Sequence, residues 1–461
     1  MRFGAWLPTL LATLAVLTGC SSGYAGRFDE VRLAIERNRI SAASERIDQL
    51  VAKASGKGAD HPEDLPLLLL ERASIRQAAG NHRGAIEDFT TVDPMIEVID
   101  LTPEGASSAA EYFWSDDAGL YKLPIYEKLM VNVSAMASYL AVGDVQGALV
   151  ESRRIDVMTS YYQNTPLAEH PMIGAAHYLI GLANEIAGRN DAALRYYLDA
   201  AKLCDAADLD ATIARLGRSS TLRNNERVQQ AVAATKGATE VGQGEGRLVS
   251  IVLSGLPPYR VAERMPIGLA VNAFRRDSRY PMSDAQEAAY ARATAEDLLT
   301  WVNYPRLVRG SNRLTSFSLA APGAAMARTV EVANVEDFAI AEWESNESAI
   351  AWAAVTRAIT RIVAREVVQG IGRAVDSGNG GATTQIFWLL GLATQGAMQA
   401  ADVPDTRTWS TMPARISIAR TTAAEGPRQV TVRSDRDSFW QTLDTEVIAG
   451  ETSVVVARFL D

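Results

Sequence analysis

Gly188-Arg189-Asn190-Asp191-Ala192-Ala193-Leu194 decides how this chain folds, because its frame occurs three times. Gly80-Asn81-His82-Arg83-Gly84-Ala85-Ile86 and Gly143-Asp144-Val145-Gln146-Gly147-Ala148-Leu149 share a glycine, an alanine five positions on, and then a branched aliphatic residue. An apolar stretch with helical spacing precedes each glycine. A glycine at that place ends a helix with positive φ, and the alanine lets the following helix pack closely on the first. The segment from Arg27 to about Asp205 therefore reads as antiparallel helix pairs, and Asn38 with Ala43 begins a further one.

Helix pairs recurring in one frame are tetratricopeptide-like repeats. The last copy is the fullest: Gly181 stands seven residues before Gly188, while Tyr197 and Ala200 follow Ala193 by four and seven. Ala73, Ala85 and Phe89 fill the same places in the first copy. The middle copy is degenerate, with Met136 where a small residue belongs and Ser152 where an aromatic does. The turn glycines lie 63 and 45 residues apart, so insertions separate the repeats, the largest from Val92 to Tyr121. Such a solenoid presents a concave surface to a protein or peptide partner. Tyr139, Arg153, Arg154 and Asn184 are the candidate contacts, although the two arginines have Glu151 and Asp156 beside them as alternative partners.

Working outward toward the C-terminus, the pattern changes. Residues 216–246 read as a linker, ending in the glycine-rich run Gly237 to Gly246. Leu248 to Leu253, Leu314 to Leu319, Thr329 to Val332, Ile416 to Ala419, Gln429 to Val432 and Thr452 to Ala457 have the composition of short strands. Between them, Glu347 to about Val375 has helical spacing with Arg357, Arg361 and Arg365 in one stripe. Ser377 to Ala401 carries no charge and reads as a buried helix. The fold class is α + β: a tetratricopeptide-like α-solenoid over 27–215, then a smaller α+β domain over 247–461.

Toward the N-terminus, Arg2 precedes an apolar run that closes on Leu17-Thr18-Gly19-Cys20. This is the pattern of a lipoprotein signal over residues 1–19, with Cys20 as the lipidated first residue and 20–26 as a short tether. Ser21, in place of aspartate, points to the outer membrane and its periplasmic face. Cys204 is then the one cysteine left, so packing and not disulfides must hold the mature protein. Against 45 basic residues stand 55 acidic ones, a net charge of −10, which disfavours nucleic acid or anionic lipid as a general partner. None of His61, His82, His170 and His177 has metal-ligand spacing, and no nucleophile motif or phosphate-binding loop occurs. The expectation is a non-enzymatic protein with no metal and no cofactor beyond the covalent lipid on Cys20.

Several blocks resemble a family of proteobacterial outer-membrane lipoproteins of unassigned activity with a helical-repeat N-terminal half. They are Tyr126-Glu127-Lys128, Ala148-Leu149-Val150-Glu151-Ser152-Arg153-Arg154, Leu253-Ser254-Gly255-Leu256-Pro257-Pro258 and Arg357-Ala358-Ile359-Thr360-Arg361. Most telling is Ala401-Asp402-Val403-Pro404-Asp405-Thr406-Arg407-Thr408-Trp409-Ser410-Thr411-Met412-Pro413, which is similar to the family's Ala-Asp-Thr-Arg-x-Trp-x-Thr-Leu-Pro. The chain departs by placing Val403-Pro404 ahead of Asp405, and by lacking a lysine that the family often carries after the double proline. The resemblance implies a cell-envelope role connected with peptidoglycan synthesis, since members tend to be encoded beside lipoprotein activators of penicillin-binding proteins. Asp405, Arg407 and Trp409 alternate, so an extended segment would put them on one face with the carboxylate orienting the guanidinium over the indole. They serve either as a partner contact or as a clamp between helix and strand. Together these features point to a membrane-anchored adaptor or scaffold in envelope assembly. The rival is a subunit of a homo-oligomeric complex assembled through strand edges.

Overall fold

The computed structural model describes residues 23–97, 121, 123–206, 209–235, 241–266, 301–310, 312–347, 405–436 and 439–461, with single helical positions at 284, 287, 288, 291 and 355. The signal and Cys20, the arginine stripe at 357, 361 and 365, and the uncharged 377–401 stretch lie outside the described residues.

Helices α1 (Tyr24–Glu36) and α2 (Ile40–Ala54) form the first pair, and α3 (Leu65–Ala78) and α4 (His82–Glu97) the second. The third and fourth pairs are α5 (Ile125–Ala141) with α6 (Val145–Tyr162), and α7 (Pro171–Ile186) with α8 (Asn190–Ala200). Each pair turns on one left-handed residue: Asn38 at φ 53°, Gly80 and Gly143 at 75°, Gly188 at 71°. The residue after it donates its N–H five positions back, from Arg39 to Ala34, Asn81 to Arg76, Asp144 to Tyr139 and Arg189 to Asn184, which satisfies the carbonyls at the helix end. Asn81 and Asp144 then accept the N–H of Gly84 and Gly147 and start the next helix.

Three expected boundaries move. Tyr24, Ala25 and Gly26, assigned to the tether, already belong to α1. Val92 is fully buried within α4, which continues through Pro94 to Glu97, so the first insertion begins later than its prolines suggest. Within the 216–246 linker lies α10 (Glu226–Ala234), packed on α9 (Leu209–Gly217) as a fifth pair. It was hard to see because α10 buries only Val228 and Ala231.

Among the described residues, the second half forms two four-stranded sheets and a hairpin. In the first sheet the order is β10-β1-β7-β6, with β1 (Glu245–Ser254) parallel to β10 (Thr452–Phe459) and antiparallel to β7 (Arg415–Ala424), and β6 (Val330–Asn334) at the edge. In the second, β5 (Ala327–Arg328), β4 (Phe317–Ala320), β8 (Gly426–Ser434) and β9 (Trp440–Val447) run antiparallel in that order. The hairpin pairs β2 (Tyr259–Pro266) with β3 (Trp301–Val308). Helix α11, residues 335–347, follows β6.

Alternation along β1 explains the layering. Leu248 and Val252 face the second sheet and share its core with Phe317, Leu319, Val430 and Val432. Val249, Ile251 and Leu253 point the other way, into an apolar cluster continuous with the solenoid from Tyr24 to Ala231. A strand buried on both faces has no polar side to show, hence an apolar run interrupted only by the buried Ser250. Helices α3 and α5 pack on β10, and α7 packs on β6. Thus the first helices of the second, third and fourth pairs are covered by the chain's own sheet. Accordingly α5 is buried from Ile125 to Ser138 on all sides. At the seam between the two sheets, β9 and β10 are tied by the Gln441 amide to the Arg458 backbone and by the Ser453 hydroxyl to the Glu446 carbonyl, so these two edges meet each other.

Candidate functional site

Polar chemistry is concentrated where sheet meets solenoid, and the 405–413 motif sits at one end of it. Arg407 donates from Nε and Nη2 to the two oxygens of Asp405, at 3.0 and 2.8 Å, and from Nη1 to Asp64 at 3.0 Å. The other Asp64 oxygen takes Arg27. Asp405 also accepts the backbone N–H of Arg407 at 2.9 Å, which fixes the local bend. The expected stacking partner was wrong. The Arg407 guanidinium lies over the Tyr121 ring at 5.7 Å, while Trp409 turns edge-on to Phe89 and donates its indole N–H to Ser74 at 3.1 Å. Residues 405–409 form no strand, so alternation does not place these side chains on one face. With Asp405, Arg407 and Trp409 all buried, the motif clamps the second half to the first.

Glu71 of α3 completes this end. It accepts the N–H and hydroxyl of Ser410, both at 2.7 Å, and the N–H of Thr411 at 2.9 Å together with its hydroxyl. Burial pushes its carboxyl up to about 7 against the pull of those donors. Behind it, the fully buried Arg458 donates to the carbonyls of Leu253, Gly255 and Thr411, and burial lowers it to about 9.

The middle of the seam holds Glu127 and Glu342. Glu127 accepts the hydroxyl of Tyr121 at 2.7 Å, and burial raises it to about 6. Glu342, on α11, accepts the Tyr162 hydroxyl, and burial raises it to about 7. Arg260 of β2 lies over Trp343 at 5.9 Å.

At the far end the balance reverses. Glu185 of α7 meets Arg215 at 2.6 Å and Arg420 of β7 at 3.4 Å, and accepts from Tyr197 at 2.7 Å and Thr452 at 3.0 Å. Burial works to raise this carboxyl, but Arg420 and Arg215 outweigh it and hold it at about 2. Arg420 itself lies over the rings of Tyr178 and Tyr197 and donates to both hydroxyls.

The other candidates fall elsewhere. Tyr139 packs into the α5–α6 turn, where a Cβ on Gly147 would come within 2.2 Å of its ring. Asn184 is buried and donates to the Ile180 carbonyl of its own helix at 2.9 Å. Arg154 pairs with Glu151 at 2.8 Å and with Asp93 at 2.7 Å; its expected neighbour Asp156 is not its partner here. Arg153 is exposed on α6, on the same side as Val150, Val157 and Tyr161, whose side chains remain uncovered by the described residues. The sheet packs on α3, α5 and α7, and among the described residues an exposed apolar stripe runs along the other side of the solenoid on α6.

Sequence reasoning missed Asp64, Glu71, Glu185, Arg420 and Arg458. A signal existed for Glu71, Glu185, Arg420 and Arg458, because each puts a charge into a largely apolar helix or strand, and a buried charge requires a partner; Asp64 lies in the polar turn Pro62–Asp64 and carried none.

No protein-family model matches the chain, and a comparison with curated proteins gives no match. Among solved structures, the chain is similar to the crystal structure of MamA, with 13% identity over 44% of this chain and 88% of that one at a TM-score of 0.28. It is similar to a Podosopora anserina putative kinesin light chain with TPR-like repeats, with 19% identity over 46% and 96% at 0.29. It also matches PilW, described as a type IV pilus biogenesis factor, with 16% identity over 46% and 91% at 0.23.

Proposed function

We propose that this chain is an outer-membrane lipoprotein, anchored through Cys20 at the periplasmic face, that acts as a non-enzymatic adaptor or scaffold in cell-envelope assembly. Its solenoid cradles its own second half, and the protein partner is taken by the outward side of α6. The observation that carries this reading is the exposure of Val150, Val157 and Tyr161 along one face of α6 while the inner helices are sealed. Apolar side chains aligned on one helix face, around an exposed arginine, suit a protein surface better than solvent. The resemblance of the 401–413 block supports a partner in envelope growth, with peptidoglycan synthesis as the first pathway to examine.

Photo-crosslinking in cells tests the reading, with a reactive residue at Val157 and a control at the exposed Glu45 of α2. A discrete envelope protein captured from Val157 and not from Glu45 supports it. Self-crosslinks alone would replace the adaptor with the homo-oligomeric subunit. Anchoring is tested separately: palmitate must label the wild type and fail to label Cys20→Ala.

A further inference from the structure

A cleft of about 440 Å³ opens between α1, α2 and the short turn Pro62–Asp64, a volume in the range of small-molecule sites. Its floor combines Tyr24 and Phe28, stacked at 5.7 Å beside Val31 and Leu68, with the Arg27–Asp64 ion pair. Its rim carries both signs of charge. Arg46 meets Glu30 at 3.2 Å, with both side chains more than half exposed, while Lys53 has no ion-pair partner among the described residues. Asp60 stands on the same rim. His61 beside it is held at φ 53°, a left-handed conformation uncommon for a residue with a Cβ and frequent where a site is built.

The ligand that fits has one anionic and one cationic group on an apolar stem. We infer that this cleft seats the headgroup of a phosphatidylethanolamine, with the phosphate at Lys53 and Arg46, the ammonium at Glu30 and Asp60, and the glycerol end over Tyr24 and Phe28. The occupant is a lipid because of where the cleft lies. Three residues separate Cys20 from Tyr24, so a lipidated Cys20 would keep the Tyr24 edge of the cleft within about 14 Å of the bilayer surface. The choice of a lipid over another zwitterion rests on the anchoring reading above.

The test uses the full chain without residues 1–19 and with Cys20→Ser, so that any attachment is independent of the anchor. Flotation with neutral vesicles of phosphatidylethanolamine in phosphatidylcholine is compared with phosphatidylcholine alone, whose quaternary ammonium has no N–H for the carboxylates. The expected result is binding that requires phosphatidylethanolamine, is competed by free phosphoethanolamine, and falls about fivefold in Lys53→Gln, the upper end for one exposed charge pair. Lys53→Gln leaves α2 free to form, and an unchanged melting temperature verifies that it does. Equal binding to both vesicle types, no binding to either, or binding indifferent to Lys53→Gln overturns the proposal. So does tighter competition by a zwitterionic dipeptide such as Ala-Ala, which would make the cleft a peptide site. Acylation of Cys20 in cells, read by mass spectrometry, is scored apart, so this site and the anchor can fail independently.

Discussion

Arg407 joins positions 343 residues apart, and among the described residues it donates to three oxygens of two buried carboxylates. Removing it leaves Asp64 and Asp405 with too little positive charge in a place where neither can recruit solvent. Arg407→Ala should therefore lower the free energy of unfolding by about 3–5 kcal/mol, the cost of breaking a buried pair from one side. Arg407→Lys should recover only part of that, since an ammonium cannot bridge two carboxylates with a planar fork. Urea denaturation of both variants reads the effect, and a loss below about 1 kcal/mol for Arg407→Ala would put the clamp on the level of a surface ion pair. The motif's own sequence holds Asp405 two residues from Arg407, which is why that pair was legible. Tyr121, Ser74 and Phe89 arrive from the solenoid, so nothing local names them as the partners of Arg407 and Trp409.

Elements were legible where their causes are local. The glycine and alanine frame gives the helix pairs because a left-handed turn and a close helix approach are decided within a few residues. Gly147 shows the second requirement: its missing side chain makes room for Tyr139, at a place where a Cβ would stand 2.2 Å from the ring. Gly147→Ala should cost about 1–3 kcal/mol through overpacking. In a Tyr139→Ala background most of that penalty should vanish, and a double-mutant cycle in denaturant measures the difference. Additive costs would show that the ring is not what Gly147 accommodates. Strands β2, β3 and β9 were not legible for the opposite reason. In β9 every second side chain faces outward, among them Thr442, Asp444 and Glu446, so the apolar content that marks β1 or β10 is missing. Its pairing with β8 and its ties to β10 are long-range and leave no local trace.

At the scale of the whole molecule, the sequence suggested two domains and a linker, whereas one apolar cluster crosses from the solenoid into the first sheet. Contacts such as Arg420 with Glu185, 235 positions apart, could not be read from either half alone. A fragment spanning 23–235 should consequently aggregate or unfold, because it would expose the sides of α3, α5 and α7 that the sheet covers, and the intact chain should melt in a single transition. Calorimetry of both decides this, and a stably folded fragment would restore the two-domain picture. The same seam sets the pH dependence. Glu71 and Glu342 at about 7 and Glu127 at about 6 lie above the ordinary 4.5 because of burial, so between about 4.5 and 7 the folded state binds more protons than the unfolded one. Their contribution to stability is full below about 4.5 and is lost as pH rises through 6 to 7. Glu185 has the opposite sign: held at about 2 by Arg420 and Arg215, it stabilises above about 4.5 and loses that contribution as pH falls toward 2. The melting temperature should then peak near pH 5 and decline on both sides. Glu185→Gln should flatten the acid limb by removing the group whose protonation drives it, and Glu342→Gln should reduce the slope between pH 5 and 7. A peak above pH 7 in the wild type would mean that Glu71, Glu127 and Glu342 are ionised in the folded protein, with their hydroxyl and N–H donors outweighing burial.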